Sequence, residues 1–138
     1  MNDRDALFRE KKLKKTPLRL AILEVFSGKT EPITIAELQE ELKKLDFFPN
    51  ITSLYRQIET LGKAEILETV MLKSDVAHYE IQQEHHHHFL CTKCERITCV
   101  HNGSLEKEIH AFEEKLNQSG IQIAAHHFSF SGRCQKCQ

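Results

Sequence analysis

Apolar side chains recur at helical spacing in three segments of the first half of the chain. Thr16-Pro17 is typical of a helix start, and the apolar positions after it form one buried stripe that ends at Gly28. A capping box at residues 34–37 opens a second helix. Pro49-Asn50 interrupts the chain, and the following stripe predicts a third helix over residues 51–61.

Strand patterns follow these helices. Gly62 ends the third helix, and the segments EILETVML and AHYEI predict a pair of strands after it. Three short helices followed by a hairpin make a winged helix-turn-helix, with residues 51–61 as its recognition helix. In the second half we expect an apolar strand after HHHH, the helix SLEKEIHAFEEKLNQSG and the strand IQIAAHHFSF. The predicted fold class is therefore α+β.

The chain divides into two halves of different composition. Residues 1–83 contain one histidine and no cysteine, whereas residues 84–138 contain all five cysteines and the other eight histidines. We therefore predict two domains with these bounds. Each is small enough that a metal or a partner subunit is expected to supplement its core.

Composition narrows the class of protein. The 138 residues are 40% hydrophobic, as in soluble globular proteins, and no leader peptide or long apolar stretch is evident. We expect a cytoplasmic protein with no membrane partner. Five cysteines in such a protein indicate metal or redox chemistry rather than a disulfide framework. No catalytic motif for nucleophilic or acid–base chemistry is present, so an enzyme is not predicted.

Charge and polar side chains point to nucleic acid as one possible partner. The net charge is −1, but a basic run lies between Arg9 and Arg19. The third helix can bury one apolar face and present the opposite one, which carries Ser53, Tyr55, Arg56, Gln57 and Thr60. Such side chains suit phosphates and base edges. The alternative is a small helical domain whose polar face is merely solvated.

The cysteines form two matched pairs. Cys91-x-x-Cys94 and Cys134-x-x-Cys137 have the number and type of ligands of a tetrahedral zinc site. The alternatives are free thiols or a redox pair. Cys99 is left over and is interpreted as a small buried hydrophobe.

The run His85–His88 can serve two sites at once. In an extended chain His86 and His88 point one way, and His85 and His87 point the other. Candidate further ligands are Glu68, Glu80, Glu106 and His126. The alternative is a mobile surface tract that binds metal weakly.

These motifs, in this order, resemble the ferric uptake regulator (Fur) superfamily of metal-sensing bacterial repressors. The segments that carry the resemblance are KLKKTPLRLAILEVF, ITSLYRQIETL, HHHHFLCTKC and HHFSFSGRCQKC. The resemblance implies a winged-helix DNA-binding domain over 1–83 and an α/β dimerisation lobe over 84–138. It also implies a homodimer that binds a palindromic operator in double-stranded DNA.

Carried over by position, the resemblance assigns residues to four sets. The structural Zn²⁺ site is Cys91, Cys94, Cys134 and Cys137. The sensory site between the domains includes His86 and His88. The site inside the dimerisation lobe is His85, His87, Glu106 and His126. The DNA contacts are Tyr55 and Arg56, with Lys14, Lys15 and Arg19 on phosphates and Ser53 beside them.

Departures from the family pattern bear on the metal. Iron and peroxide sensors place a histidine in the loop before the second helix, where this chain has TEPITIAEL. The zinc uptake regulator (Zur) branch instead uses acids near the positions of Glu68 and Glu80, which we add to the sensory site. The glycine that usually follows Cys-x-x-Cys is Glu95 here.

The predicted function is a metal-dependent repressor of metal-uptake genes that responds to zinc. The alternatives within the family are an iron-responsive regulator and a peroxide- or manganese-responsive one, since two carboxylates and two imidazoles can bind Zn²⁺, Fe²⁺ or Mn²⁺. Outside the family, a metal-storage protein would explain the ligands but leave the helices without a role. A thiol oxidoreductase that uses one Cys-x-x-Cys pair predicts reversible disulfide chemistry and no tightly held zinc. No role is assigned to the remaining potential ligands, which are Cys99, His78, His101, His110 and His127.

Overall fold

A computed structural model of the protein describes residues 3–73 and 75–138. The chain forms two compact units, Met1–Gln83 and Glu84–Gln138. Among the described residues, no helix is long and apolar enough to cross a membrane.

The first unit begins with a helix that the apolar pattern did not predict. Helix α1 spans Asp3–Glu10, and most of its residues are charged or exposed. Phe8 is its buried residue, only 2% exposed, and packs into the core of this unit. One buried aromatic in eight residues gives no helical stripe, which is why the periodicity missed this element.

The three predicted helices are present. They are α2 (Pro17–Ser27), α3 (Ile35–Lys44) and α4 (Ile51–Lys63). The predicted starts are confirmed, because a side-chain oxygen of the residue before each helix accepts a backbone N–H from its first turn. The three capping oxygens belong to Thr16, Thr34 and Asn50, at 3.2, 3.2 and 2.8 Å from their donors.

The predicted end of α4 is wrong. The helix passes through Gly62 to Lys63 instead of stopping at residue 61. The left-handed turn that leaves the helix is made by Glu65, with φ 59°, and the N–H of Ile66 then reaches back to the carbonyl of Leu61 at 2.9 Å. Glycine was expected at the helix end because it adopts such a φ at little cost, but here a glutamate does so.

A hairpin completes the first unit. Strands β1 (Leu67–Lys73) and β2 (Val76–Ile81) pair antiparallel, and Ile33 forms an isolated bridge to Tyr79. The helices bury their apolar faces in one core, whose fully buried side chains include Ile22, Leu38, Leu42, Leu54 and Leu61. This arrangement confirms the predicted winged helix-turn-helix.

The second unit is a small sheet with one long helix. Its elements are β3 (His87–Cys91), β4 (Ile97–Val100), α5 (Gly103–Gln118), β5 (Ser129–Gly132) and a 3₁₀ turn (Gln135–Cys137). Strand β3 lies in the centre, antiparallel to β4 and parallel to β5. The predicted α+β class is confirmed, with an α/β second unit.

The predicted strand over residues 121–130 is largely wrong. Only Ser129 and Phe130 of that segment belong to β5, and residues 121–128 have no regular structure. The N–H of Ile123 donates to the Asn117 side chain at 3.2 Å, so part of this segment is bonded to the end of α5 rather than to a strand. A strand pattern without a neighbouring strand to pair with does not form a ladder.

Candidate metal centres

Four cysteine thiols converge in the second unit. The Sγ atoms that lie within 4.8 Å of one another belong to Cys91, Cys94, Cys134 and Cys137. Cys91 ends β3 and Cys94 follows in a turn, while Cys134 precedes the 3₁₀ turn and Cys137 is its last residue. The N–H of Thr92 donates to the carbonyl of Gly132 at 2.7 Å and joins the two segments. All five cysteines lie in the described part of the chain, and none of them forms a disulfide there.

The electrostatics of this cluster fit a divalent cation. The backbone N–H groups of Cys94 and Cys134 donate to Cys91 Sγ at 3.5 and 3.4 Å. These bonds lower the pKa of the Cys91 thiol to about 5. The hydrogen bond with the Cys134 side chain, followed by burial, raises the pKa of Cys137 to about 12. Four thiols this close ionise together only when a cation compensates their charge, and a set of four cysteines suits Zn²⁺.

A second cluster combines three imidazoles with a carboxylate. The ligand atoms that lie within 4.8 Å of one another belong to His85, His87, Glu106 and His126. His85 Nε2 is 2.8 Å from His126 Nε2, and His87 Nε2 is hydrogen-bonded to Glu106 Oε1. Glu106 comes from the first turn of α5, whose N-cap is Asn102.

The pKa values of two groups in this second cluster, His85 and Glu106, are lowered. Burial lowers the pKa of the His85 imidazole. Burial opposes ionisation of Glu106, but the hydrogen bond and charge of His87 outweigh it and lower the pKa of that carboxyl. Neutral imidazole and ionised carboxylate are the ligand forms that a metal requires.

Two further side chains lie near this cluster: Glu113 was not among the predicted ligands, and His110 was a potential ligand without an assigned role. Glu113 accepts a hydrogen bond from His126 Nδ1, and His110 lies 3.7 Å from Glu106 Oε2 and 3.5 Å from Glu113 Oε2. Glu106, His110 and Glu113 are spaced i, i+4 and i+7 along α5, which places them on one face. That spacing is the signal that could have identified them.

The other two histidines of the run belong to a different cluster. The rings of His86 and His88 are 4.6 Å apart, and those of His85 and His87 are 4.9 Å apart. A ring nitrogen of His86, a ring nitrogen of His88 and Cys99 Sγ lie within 4.8 Å of one another. Alternate imidazoles of one short segment therefore face separate clusters. Cys99 had been interpreted as a core hydrophobe, but it is only partly buried and contributes a thiol beside these imidazoles.

The two acids predicted for the sensory site lie in the first unit. Glu68 in β1 is directly opposite Glu80 in β2, so both are on the same face of the hairpin. Glu80 also lines a cleft of about 160 Å³ in the first unit, together with Glu31. Glu31 belongs to the segment TEPITIAEL, which contains no histidine.

The predicted DNA-contacting residues lie on and around α4. Tyr55 is 48% exposed, Arg56 is also exposed and Ser53 is partly exposed, while Leu54 and Ile58 are buried on the opposite face. Helix α4 thus separates a packing face from a face available to a ligand.

The predicted basic contacts differ in their surroundings. Arg19 donates from Nε to Gln57 Oε1 and from Nη1 to the carbonyl of Lys14, both at 2.8 Å. Its guanidinium therefore links α2 to α4. Lys15 pairs with Asp5 at 2.5 Å, and the side chain of Lys14 is exposed.

Comparisons with known proteins place this pair of units in one family. The model of the "Ferric uptake regulator family" matches residues 10–131. The chain belongs to the ferric uptake regulator family. A ferric uptake regulation protein of Neisseria meningitidis is 31% identical to it over 140 residues, covering 96% of this chain and 92% of the relative.

Solved structures agree on the fold. The Helicobacter pylori ferric uptake regulator, a protein described as having three functional metal-binding sites, superposes with a TM-score of 0.78 at 20% identity, over 98% of this chain and 89% of that one. The Vibrio cholerae ferric uptake regulator gives 0.77 at 24% identity, over 96% and 100%. Ferric uptake regulators are metal-dependent transcription regulators that act as DNA-binding dimers, and this chain is one of them.

Proposed function

We propose that this ferric uptake regulator is a repressor of metal-uptake genes and that zinc is its regulatory metal. The observation that carries the proposal is the alternation of the run His85–His88 between two ligand clusters, beside a third cluster of four thiols. The absence of a histidine from TEPITIAEL favours zinc over iron.

Each cluster has a separate task in this proposal. The cysteine cluster holds a structural Zn²⁺ that joins the end of the chain to β3. His85, His87, Glu106 and His126 hold a second metal inside the dimerisation lobe. His86 and His88, together with Glu68 and Glu80 from the DNA-binding domain, hold the regulatory metal.

The regulatory step depends on ligands that come from both domains. Bound metal supplies a link between the carboxylates of the hairpin and the imidazoles of β3. Imidazoles and carboxylates held together in this way restrict the connection near Gln83, so that one domain arrangement is selected. A preference of about 1.4 kcal/mol between arrangements changes operator affinity tenfold.

DNA recognition is assigned to the exposed face of α4. Tyr55 and Arg56 reach base edges and Ser53 lies beside them, whereas Lys14 and Lys15 contact phosphates. Arg19 positions the recognition helix through Gln57 and has further guanidinium donors for a phosphate.

A homodimer on a palindromic operator places two such helices in successive major grooves. Support comes from apolar side chains that the second unit leaves exposed, namely Phe112, Ile121, Phe128 and Phe130. A small unit that leaves four large apolar side chains exposed is a candidate for a subunit interface. Action on chromosomal DNA would place the protein in the cytoplasm.

The test is capture of fragmented genomic DNA by the purified protein. Parallel samples contain Zn²⁺, Fe²⁺ without oxygen, Mn²⁺ or a chelator. We expect a palindromic sequence near metal-uptake genes to be enriched with Zn²⁺ at the lowest free concentration. Enrichment that also occurs with chelator would refute metal dependence, and loss of all enrichment would favour a metal-storage protein.

An iron-responsive regulator is the main alternative. It is favoured by the 31% identity to a ferric uptake regulation protein of Neisseria meningitidis. In the capture experiment it predicts enrichment with Fe²⁺ at a lower free concentration than with Zn²⁺. A manganese-responsive regulator predicts enrichment with Mn²⁺ at a lower free concentration than with Zn²⁺. A peroxide-responsive regulator predicts that the Fe²⁺-loaded protein no longer captures DNA once peroxide is added.

The variant His86→Ala/His88→Ala tests the switch itself. It should abolish metal-dependent capture while retaining the zinc of the cysteine cluster. His101→Ala is the matched control, because His101 stacks on the ring of His86 at 5.0 Å but is not assigned as a ligand. Unchanged metal-dependent capture by the double variant would exclude His86 and His88 from the sensory site.

A further inference from the structure

We propose that Cys99 is a thiolate ligand of the metal bound by His86 and His88, and that this thiolate makes the site selective for Zn²⁺ over Mn²⁺. The inference rests on the proposed function, because it takes these two histidines to hold the regulatory metal. It adds a ligand that neither the motifs nor the predicted sensory set contains.

The sheet brings this thiol to the imidazoles. Cys99 in β4 is directly opposite His88 in the antiparallel β3–β4 register. Directly opposed residues have Cβ atoms about 4.5–5.5 Å apart on the same face. His86 precedes His88 by two residues, so an extended chain directs it to that face as well. The result is a group of two imidazole nitrogens and one Sγ within 4.8 Å.

The surroundings of Cys99 favour a ligand over a packing residue. Its neighbour two positions earlier on the strand, Ile97, is 2% exposed and fills the core of the second unit. Cys99 is only partly buried and stands at the end of the sheet where His86 and His88 lie. A small apolar residue would fill this place as well, but only a thiol can act as a ligand of a metal that His86 and His88 bind.

The chemistry of the ligand set predicts metal preference. Thiolate is a soft ligand that favours Zn²⁺, whereas carboxylate and water suit Mn²⁺. The site of His85, His87, Glu106 and His126 contains no sulfur. Two neighbouring sites on one strand therefore differ in softness, and we expect the Cys99 site to discriminate against Mn²⁺ more strongly. Binding there also releases the thiol proton.

Cobalt(II) spectroscopy on the full-length protein tests the assignment. The cysteine cluster is first filled with zinc, and mass spectrometry under native conditions verifies that one zinc per chain is retained. Cobalt(II) is then added without oxygen. Cobalt bound to thiolate absorbs in the near ultraviolet by sulfur-to-metal charge transfer, whereas cobalt bound only by nitrogen and oxygen does not. We expect this band in the wild type with the zinc still in place.

Substitutions at Cys99 and at the neighbouring His101 test whether the band depends on the Cys99 thiol itself. Cys99→Ser should lose the charge-transfer band, and His101→Ala should keep it. Cys99→Asp should bind cobalt without the band and shift the preference between Zn²⁺ and Mn²⁺ toward Mn²⁺ by at least about tenfold, the lower end of the effect of a disturbed ligand environment. If the Cys99→Ser protein does not fold, the spectra of the wild type and of the Cys99→Asp protein still show whether the Cys99 thiolate binds the metal.

The outcomes distinguish this inference from the proposed function. Metal-dependent DNA capture without a charge-transfer band in the wild type would overturn the role of Cys99 and leave the switch intact. A band that disappears in Cys99→Ser, together with DNA capture that ignores metal, would support the ligand and reject the switch. A band that persists in Cys99→Ser would also overturn the inference, because another thiol would then be its source.

Discussion

The two units of this protein are stabilised by different means. The first unit buries a continuous apolar core that includes Ile22, Leu38, Leu54 and Leu61. Among the described residues of the second unit, the buried hydrophobic side chains are those of Cys91, Ile97 and Ile109. The first unit can therefore rely on the hydrophobic effect, whereas the second has a smaller core and brings together side chains that could hold metal.

This contrast separates stability from regulation. A unit held by apolar packing keeps its fold whatever the metal supply, so it can present a recognition helix at all times. Under the proposed function, the fold of the second unit depends on bound metal, so this unit can respond to metal concentration. The difference predicts that changes in one unit affect its own stability far more than that of the other.

The largest effect should follow loss of the structural metal. Cys91→Ser removes the thiol that ends β3 and accepts two backbone hydrogen bonds. Structural zinc supplies on the order of 10 kcal/mol of binding free energy in small domains, so residues 84–138 should unfold. Hydrogen exchange followed by mass spectrometry should show loss of protection in the second unit and retention in the first.

Cys99→Ser is the control for the loss of one thiol. It should keep protection throughout the second unit, because Cys99 is outside the cysteine cluster. A Cys91→Ser protein that stays folded and retains zinc would contradict the contrast between the units.

A cavity in the core of the first unit should destabilise that unit and leave the stability of the second unit largely unchanged. Leu54 is 0% exposed, and Leu54→Ala should destabilise the first unit by about 2–5 kcal/mol. The chain has no tryptophan, and its two tyrosines, Tyr55 and Tyr79, both lie in the first unit, so tyrosine fluorescence during denaturation reports on that unit alone. Zinc release to a chromogenic chelator reports on the second. Equal loss in both signals would show that the units unfold together.

The same contrast explains which structural features were predictable. Caps and apolar stripes located α2, α3 and α4, because hydrophobic burial imposes a period on the sequence. Helix α1 escaped because Phe8 is its one buried residue, and the end of α4 was misplaced because Glu65 makes the left-handed turn. The strand over residues 121–130 failed because a strand needs a partner that the local pattern does not reveal.

Ligands were predictable to a different extent. Cysteine pairs and the histidine run show their chemistry in the sequence, so the residues that converge in the second unit had been named as candidates. Glu113, His110 and Cys99 depend on which helix face and which strand register are adopted. The register of β3 against β4 and the packing of α5 are tertiary features, and no local pattern specified them.

A moderate effect is expected from Glu113→Gln. The Glu113 carboxylate bonds to His126 Nδ1 and holds the ring with Nε2 toward His85. Loss of such an outer carboxylate weakens metal binding about 10–100-fold. Titration with Zn²⁺ should be performed in the His86→Ala/His88→Ala background, in which the dimerisation-lobe site is the remaining nitrogen–oxygen site.

Glu114→Gln is the matched control for this substitution. Glu114 is the next residue of α5, is exposed, and points away from the cluster by its position on the helix. It should leave zinc affinity unchanged. Equal affinities of the Glu113→Gln and Glu114→Gln proteins would show that Glu113 does not orient His126.

The smallest effect concerns the turn that carries Cys94. Glu95 has φ 62°, and its N–H closes the turn on the carbonyl of Cys91 at 2.9 Å. A residue with a side chain pays about 1–2 kcal/mol for this conformation, and glycine avoids that cost but loses about 0.5–1 kcal/mol of backbone entropy. Glu95→Gly should therefore stabilise the zinc-loaded second unit by at most about 1 kcal/mol, measured by thermal unfolding. Glu114→Gly, in the interior of α5, should destabilise it by a similar amount. If both substitutions destabilise the unit equally, the left-handed backbone of Glu95 carries no strain, and the turn is determined by the cysteine ligands rather than by the residue that follows them.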